Sequence, residues 1–220
     1  MAKGERKKED APAVGIICCR VLEKEIRAVV GNMPEVTDIQ VMDWGLHIRP
    51  DVLLETLCRQ IRLMENQVGA VMLGYGRCQA LDRLPDDFAV PVFYPEGEDC
   101  IGVLLGQDRY ERELLQTAGT WFLTPGWTEL GMEFIFEELQ VQRVAKKGHD
   151  PLALAHRMLK DFSRALLIDM QLKGSDAIKR EALNIAAEFG WKLEKVEGSL
   201  IRLKQTLHKA IDAATPPSLF

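Results

Sequence analysis

Three thiols and an imidazole occupy comparable places along this chain: Cys19, His47, Cys78 and Cys100 each follow shortly after an apolar run. Sulfur and imidazole donors suit a soft or borderline metal. The set reads as zinc held by three Cys and one His, or as an iron–sulfur cluster on three thiolates and another ligand. The gaps between them match no short metal motif, and no Cys-x-x-Cys occurs. Any such site must therefore be assembled by the fold. The bland alternative is that cysteine is among the most often buried residue types.

The elements that would position these groups read as alternating strands and helices. Ala13–Cys19 is an apolar strand, and Val21–Val30 has helical spacing up to Gly31-Asn32. Asp38–Met42 is a second strand, with His47 in its exit loop. Pro50 opens a helix whose apolar face is Leu53, Leu57, Ile61 and Met64. Cys58 lies beside that face and reads as a packing residue. Ala70–Leu73 is a third strand, ending in Gly74-Tyr75-Gly76 and delivering Cys78. Val90–Tyr94 is a fourth, and Pro91 predicts an edge or strand-start position. Cys100 follows it and opens a short helix that ends at Gly106.

Strands joined by short helical links predict a parallel sheet. Right-handed crossovers then bring all four exit loops to one edge, where open α/β sheets bind ligands. Alternation sends Cys18 and Cys19 to opposite faces, and Cys19, nearer the loop, is the preferred ligand.

The second half repeats the style. Trp121–Thr124 is a strand with Pro125-Gly126-Trp127 as its exit turn, and 129–144 reads as one helix. Pro151–Lys160 follows as a helix, then the strand Arg164–Met170 and the helix Ala177–Phe189. Trp191–Val196 is the last strand, and Ser199 caps a final helix, Leu200–Ile211. The fold class is α/β, with mostly parallel sheets, flanking helices and two similar α/β lobes holding the site between them. The expected divisions are a leader over 1–13, a first lobe over 14–112, a second over 113–212 and a tail over 213–220.

Several further residues could line a ligand. Arg20 and Arg77, each beside a candidate cysteine, could hold an anion or lower a thiol pKa; simple exposure is the alternative. Gly74 and Gly76 leave room for close approach, and Tyr75 between them could stack on a ligand. Asp43 and Asp99 could orient a histidine or take a proton, against a role as solvated loop carboxylates. Trp127 after Gly126 could wall a planar ligand, with core packing as its rival. Asp169 at a strand end could be catalytic or a plain surface acid.

The totals set bounds. The chain has 220 residues, 47% hydrophobic and 28% charged, enough for a sizeable core. A formal net charge of −5 argues against a dedicated nucleic-acid or membrane-surface binder. No apolar run approaches the ~18–20 residues of a membrane span. The charged start lacks the apolar core of a signal peptide, so a cytoplasmic protein is expected. Five dispersed cysteines do not form a disulfide framework in a reducing compartment. P-loop, G-x-G-x-x-G, G-x-S-x-G and H-E-x-x-H signatures do not occur.

Five segments carry a resemblance: I-I-C-C-R-V-L-E-K-E-I (16–26), L-H-I-R-P-D-V-L (46–53), M-L-G-Y-G-R-C (72–78), E-D-C-I-G-V-L-L-G (98–106) and G-T-W-F-L-T-P-G-W (119–127). Together they resemble a prokaryotic family of unknown function whose genes often occur in anaerobes, near corrinoid-dependent methyltransferase genes. The first-strand Cys, the Leu-His, the Gly-Tyr-Gly-x-Cys and the Asp-Cys recur in it. On this chain that implies Cys19, His47, Cys78 and Cys100. This chain departs at Glu98, where the family usually has His, and at Gln79, where it usually has Gly. The resemblance implies a zinc or iron–sulfur protein linked to corrinoid-dependent methyl transfer or one-carbon metabolism, with a corrinoid, or a corrinoid protein or methyltransferase, as partner. Rival readings are a metal-free module for a tetrapyrrole or other small molecule, and a structural partner in a methyltransferase complex. Catalysis and oligomeric state stay open.

Overall fold

The apolar run 14–19 is buried along its whole length because it is paired on both sides. In the structure, a computed structural model describing residues 13–145, 148 and 150–215, strand β1 (Val14–Cys19) lies between β2 (Val36–Met42) and β3 (Ala70–Gly74), parallel to both. The short β4 (Val92–Phe93) completes a four-stranded sheet in the order β2-β1-β3-β4. Pro91 starts that edge strand as expected: its carbonyl accepts from Val71 N–H at 3.0 Å, while its missing N–H is not needed by the ladder. The expected leader and tail fall largely outside the described residues, at 1–12 and 216–220.

Helices close both sides of this sheet. A 3-10 turn, Arg20–Leu22, leads into α1 (Glu23–Val30). Helix α2 (Pro50–Met64) buries Leu53, Leu57, Ile61 and Met64, the stripe its spacing predicts. Two further helices, α3 (Cys100–Leu105) and α4 (Gln107–Gln116), follow β4. None of the α4 residues is buried, so it carries no apolar stripe for a sequence reading to find, and residue 112 lies in its middle.

The second sheet is parallel too, in the order β5-β6-β7: β5 (Thr120–Leu123), β6 (Arg164–Asp169) and β7 (Lys192–Glu197). The expected exit turn at Pro125 is the first turn of α5 (Pro125–Leu130), and Pro at the helix start fits there. The single helix expected over 129–144 is instead broken into the end of α5, α6 (Met132–Glu138) and α7 (Gln142–Ala145). The breaks fall where Gly131 and Gln140 take positive φ, +59° and +54°, a conformation that ends a right-handed helix. Helices α8 (Pro151–Met158), α9 (Ser175–Phe189) and α10 (Ile201–Ala214) match expectation. Ser199 Oγ accepts from Ile201 N–H at 3.2 Å.

The period of two along β6 divides the core. Leu166 and Ile168 join the core of the first sheet, whereas Ala165 and Leu167 pack into a second cluster with α9 residues such as Ala182 and Ile185. Helix α10 returns to the first sheet and packs on β3 and β4 through Leu203, Leu207 and Ala210. A Cβ at Gly69 would stand 2.9 Å from the Ala214 carbonyl oxygen, so β3 and α10 meet without space for a side chain there.

One buried charge stands out. Glu25 on α1 is 0% exposed, and neither carboxyl oxygen has a side-chain partner among the described residues. Burial, with a smaller push from Glu129, raises its pKa to about 7, against the pull of its own backbone N–H and Lys24. A raised pKa means the folded chain holds a proton that the unfolded chain releases. Stability is therefore greatest below about pH 4.5, falls as pH rises towards 7, and is flat above. Glu25→Gln should remove this fall, raising unfolding free energy at pH 8 by on the order of 3 kcal/mol with little change at pH 4. Urea denaturation at the two pH values checks it, and an equal effect at both would refute the buried acid.

Candidate functional site

The strand order β2-β1-β3-β4 reverses direction between β1 and β3. The chain leaves β1 for a neighbour on one side and later returns to its other side. At such a switch point the connections diverge and leave a crevice at the carboxyl ends of the strands. Cys19 closes β1 at this crevice, and β3 delivers Gly74, Tyr75, Gly76 and then Cys78.

Two glycines make the delivery possible. A Cβ on Gly74 would lie 2.6 Å from Cys18 Cβ, its neighbour on β1. A Cβ on Gly76 would lie 2.0 Å from the Asp99 carbonyl carbon and 2.3 Å from Cys100 N. The exit of β3 is thus pressed against the peptide that begins α3. Arg77 N–H reinforces this by donating to Gly97 O at 3.0 Å. Asp99 then fixes the start of α3: Oδ1 accepts from Gly102 N–H at 2.8 Å, and Oδ2 accepts from Tyr110 O–H at 2.9 Å. Asp99 is therefore neither a free carboxylate nor a simple surface acid. It orders the turn that presents Cys100.

Cys19 is buried, and Cys78 and Cys100 are half-buried. Burial pushes Cys19 up to about 11; the Val21 N–H on its sulfur works the other way, and Asp43 and Cys78 add to the rise. Burial also pushes Cys100 up, and a negative charge on Cys19 or Cys78 would push it further, while the Gly76 N–H on its sulfur opposes. A negative charge on Cys78 disfavours ionisation of Cys19, and one on Cys19 or Cys78 disfavours that of Cys100. Burial raises Cys18 to about 12, helped first by Cys19 and then by Glu23, with Arg27 opposing. Cys58 sits apart on α2, near Arg62 and Asp87. Among the described residues, no three His, Cys, Asp or Glu side chains converge closely enough to hold a metal as they stand. The three thiols are neighbours, not a closed ligand sphere.

Tyr75 is 4% exposed, and its hydroxyl has no hydrogen-bond partner among the described residues. Its ring belongs to the apolar core of the first sheet. Burial first, then the thiols of Cys19, Cys18, Cys100 and Cys78, hold its pKa far above the ordinary phenol value.

His47 is near Cys78 but is occupied. Its Nδ1 donates to Trp44 O at 2.6 Å and its Nε2 to Glu138 Oε2 at 2.8 Å. Trp44 O can only accept, so Nδ1 carries a hydrogen, and with Glu138 ionised Nε2 carries one too, making the ring an imidazolium. Burial alone would lower its pKa; the bonds to Glu138 and Trp44 outweigh that and raise it. In this state neither nitrogen has a lone pair for a metal, and His47 flanks the thiols as a cation. It shares with Cys78, Pro50, Leu53, Arg77 and Asp99 the wall of an open cleft of about 430 Å³.

The other sequence candidates hold the site or stand away from it. Gly126 presses on the turn after Cys19, where a Cβ would lie 2.2 Å from Val21 O. Trp127 stacks on Phe134 with centroids 4.9 Å apart and packs into both core clusters. Arg20 is exposed. Arg77 is exposed too and is bonded to Asp82 Oδ1 at 2.6 Å. Asp43 caps the 3-10 turn that carries His47, accepting from Gly45 N–H at 2.9 Å. Asp169 is held by Gln171 N–H and Lys195 and lies in a separate hollow with Lys24 and Lys179. Glu138 and Tyr110 were not legible as site residues. Glu138 lies 91 positions from His47, and no local pattern signals such a pairing.

A family model described as "Protein of unknown function (DUF1638)" matches residues 41–207. The chain belongs to this family. The matched stretch contains His47, Tyr75, Cys78 and Cys100 and begins after Cys19. No curated protein and no solved structure matches the chain. No described helix is long and apolar enough to cross a membrane.

Two measurements check this geometry. At neutral pH, Cys19 in the folded chain should react with iodoacetamide about a hundredfold more slowly than in the urea-unfolded chain, since its thiolate is that much scarcer. Peptide mass spectrometry reads this, and equal rates in the two states would contradict a buried thiol. Gly76→Ala should cost about 2 kcal/mol or more by overpacking, seen as a lowered melting temperature. A wild-type melt would mean that the β3 exit and the Asp99–Cys100 peptide do not touch.

Proposed function

We propose that this chain is a metal-binding protein whose centre is built on Cys19, Cys78 and Cys100, taking zinc or an iron–sulfur cluster. One observation supports the reading: Cys19 closes β1 at the switch point, Cys78 follows β3, and Cys100 opens α3, whose first peptide the exit of β3 touches at Gly76. The donor set fits, since three soft sulfurs are what either group selects. Lone buried thiolates are costly, and a bound cation reverses that cost. Metal binding is then coupled to release of the thiol protons and to rotation of the side chains onto a common centre.

With three protein ligands, a position would stay open for an incoming group, the arrangement of a reactive zinc site in contrast to a closed structural one. His47 contributes charge and no ligand in this arrangement. The resemblance to a family encoded near corrinoid-dependent methyltransferase genes favours a place in methyl transfer or one-carbon metabolism. A metal-free reading, in which the crevice takes a tetrapyrrole or other small molecule, is favoured by the volume of the cleft.

Elemental analysis of anaerobically purified protein separates these. We expect close to one zinc per chain, or a brown sample with iron and sulfide. Cys100→Ala should lose most of the metal while keeping the wild-type far-ultraviolet circular dichroism. Only trace metal in the wild type would overturn the proposal. Saturable corrinoid binding by the triple variant Cys19→Ala, Cys78→Ala, Cys100→Ala would then support the metal-free crevice.

A further inference from the structure

We infer that the open edge of β4 takes an extended segment of a partner protein, with apolar side chains at alternate positions and a lysine or arginine at one end. The inference is independent of the metal reading, since it uses the outer border of the first sheet and none of the thiols.

Strand β4 pairs with β3 alone. Val71 N–H donates to Pro91 O at 3.0 Å, and Val71 stands opposite Val92. Successive residues of a parallel strand turn their peptide groups to opposite sides, so Val92 turns its N–H and C=O away from β3. An uncovered edge of this kind is a template for another strand. Here it borders a trough of about 600 Å³, lined also by Leu84, Pro85 and Phe88 of the preceding loop. That loop is tied back to α2. Ala89 N–H donates to Glu65 Oε2 at 3.1 Å, and Arg62 bonds to Asp87 at 3.1 Å and lies over the Phe88 ring at 5.2 Å. The loop is fixed from behind and does not depend on an occupant.

Tyr94, 41% exposed, lines this trough and also a second hollow of about 260 Å³, which it shares with Arg77, Glu96 and Glu98. The two make one groove, apolar beside β4 and charged past its carboxyl end. Among the described charged side chains that line it, Asp86, Glu96 and Glu98 are acids, and the base Arg77 is already bonded to Asp82 at 2.6 Å.

The occupant follows from these parts. An extended peptide offers C=O and N–H groups to Val92, and its alternate side chains fall into the apolar trough. The acids past β4 select a base at one end of that segment. A small apolar molecule would fill the trough and leave the Val92 peptide groups unused. A second copy, paired antiparallel about Val92, would bring acid towards acid, its Asp86 end against the Glu98 end of the first.

The test pans a library of short random peptides against the full chain. A fluorescein-labelled copy of the enriched sequence is then titrated by anisotropy. We expect alternate apolar residues next to Lys or Arg, and weaker binding at high salt. Val92→Pro removes the outward N–H and leaves the bonds to β3. It should weaken binding about tenfold with an unchanged far-ultraviolet circular dichroism spectrum. Glu98→Lys, at an exposed position, should weaken binding by a similar factor and remove part of its salt dependence. No enrichment, or an enriched peptide that binds both variants as tightly as wild type, overturns the inference. Should Val92→Pro lose its fold, Glu98→Lys decides on the same criterion. A concentration-dependent dimer in sedimentation that Val92→Pro abolishes would show that a second copy covers the edge, and would overturn the partner segment.

Discussion

Much of this molecule's site depends on one backbone contact, the packing of Gly76 on the Asp99–Cys100 peptide. At that point the exit of β3 and the entry of α3 approach more closely than any side chain permits. The contact sets Cys78 and Cys100 in one crevice and turns Tyr75 inward between them. Asp99 stabilises it from one side by capping α3 and accepting from Tyr110. Tyr110 in turn packs edge-on against Phe122 of the second sheet, with centroids 5.1 Å apart. A loop apex is thereby tied to the core of the whole chain.

The second half of the chain supplies none of the three thiols, yet it braces them. Gly126 lies against Val21, whose N–H bonds to the Cys19 sulfur. Glu138 on α6 accepts from His47. The break at Gly131 that ends α5 lets α6 start in a new direction, and Trp127 and Phe134 stack across the break. Residues that looked like ligand contacts in the sequence, Gly126 and Trp127 above all, are better understood as the clamp behind Cys19.

The unpaired buried polar groups are not equivalent. Glu25 has a charged neighbour pair, Lys24 and Glu129, bonded to each other instead of to it, and it lies outside the cleft. Its cost is paid in stability at neutral pH. Tyr75 and the thiols stand together at the edge of the sheet where ligands bind in folds of this class. Local rules of burial and pairing are broken there in concert, and functional sites are where such breaks collect.

How much of this was legible follows from the range of each interaction. β1, β3, α2, α9 and α10 could be read from the chain because burial writes a local period into the residues. That the exits of β1 and β3 share one edge was legible through topology, since parallel strands place all their carboxyl ends on one edge. The ten residues of α4 were not, because none is buried and no stripe marks them. The helix breaks at Gly131 and Gln140 were missed because backbone sign at a single residue has no periodic signature. The sequence by itself determined the fold class, the strand exits and which residue types could do chemistry there. Only the tertiary structure decided that His47 is bound to Glu138, that Asp99 is a cap, and that the Tyr75 hydroxyl is buried with no partner among the described residues. Those outcomes depend on contacts between residues far apart in the chain, and periodicity cannot encode them.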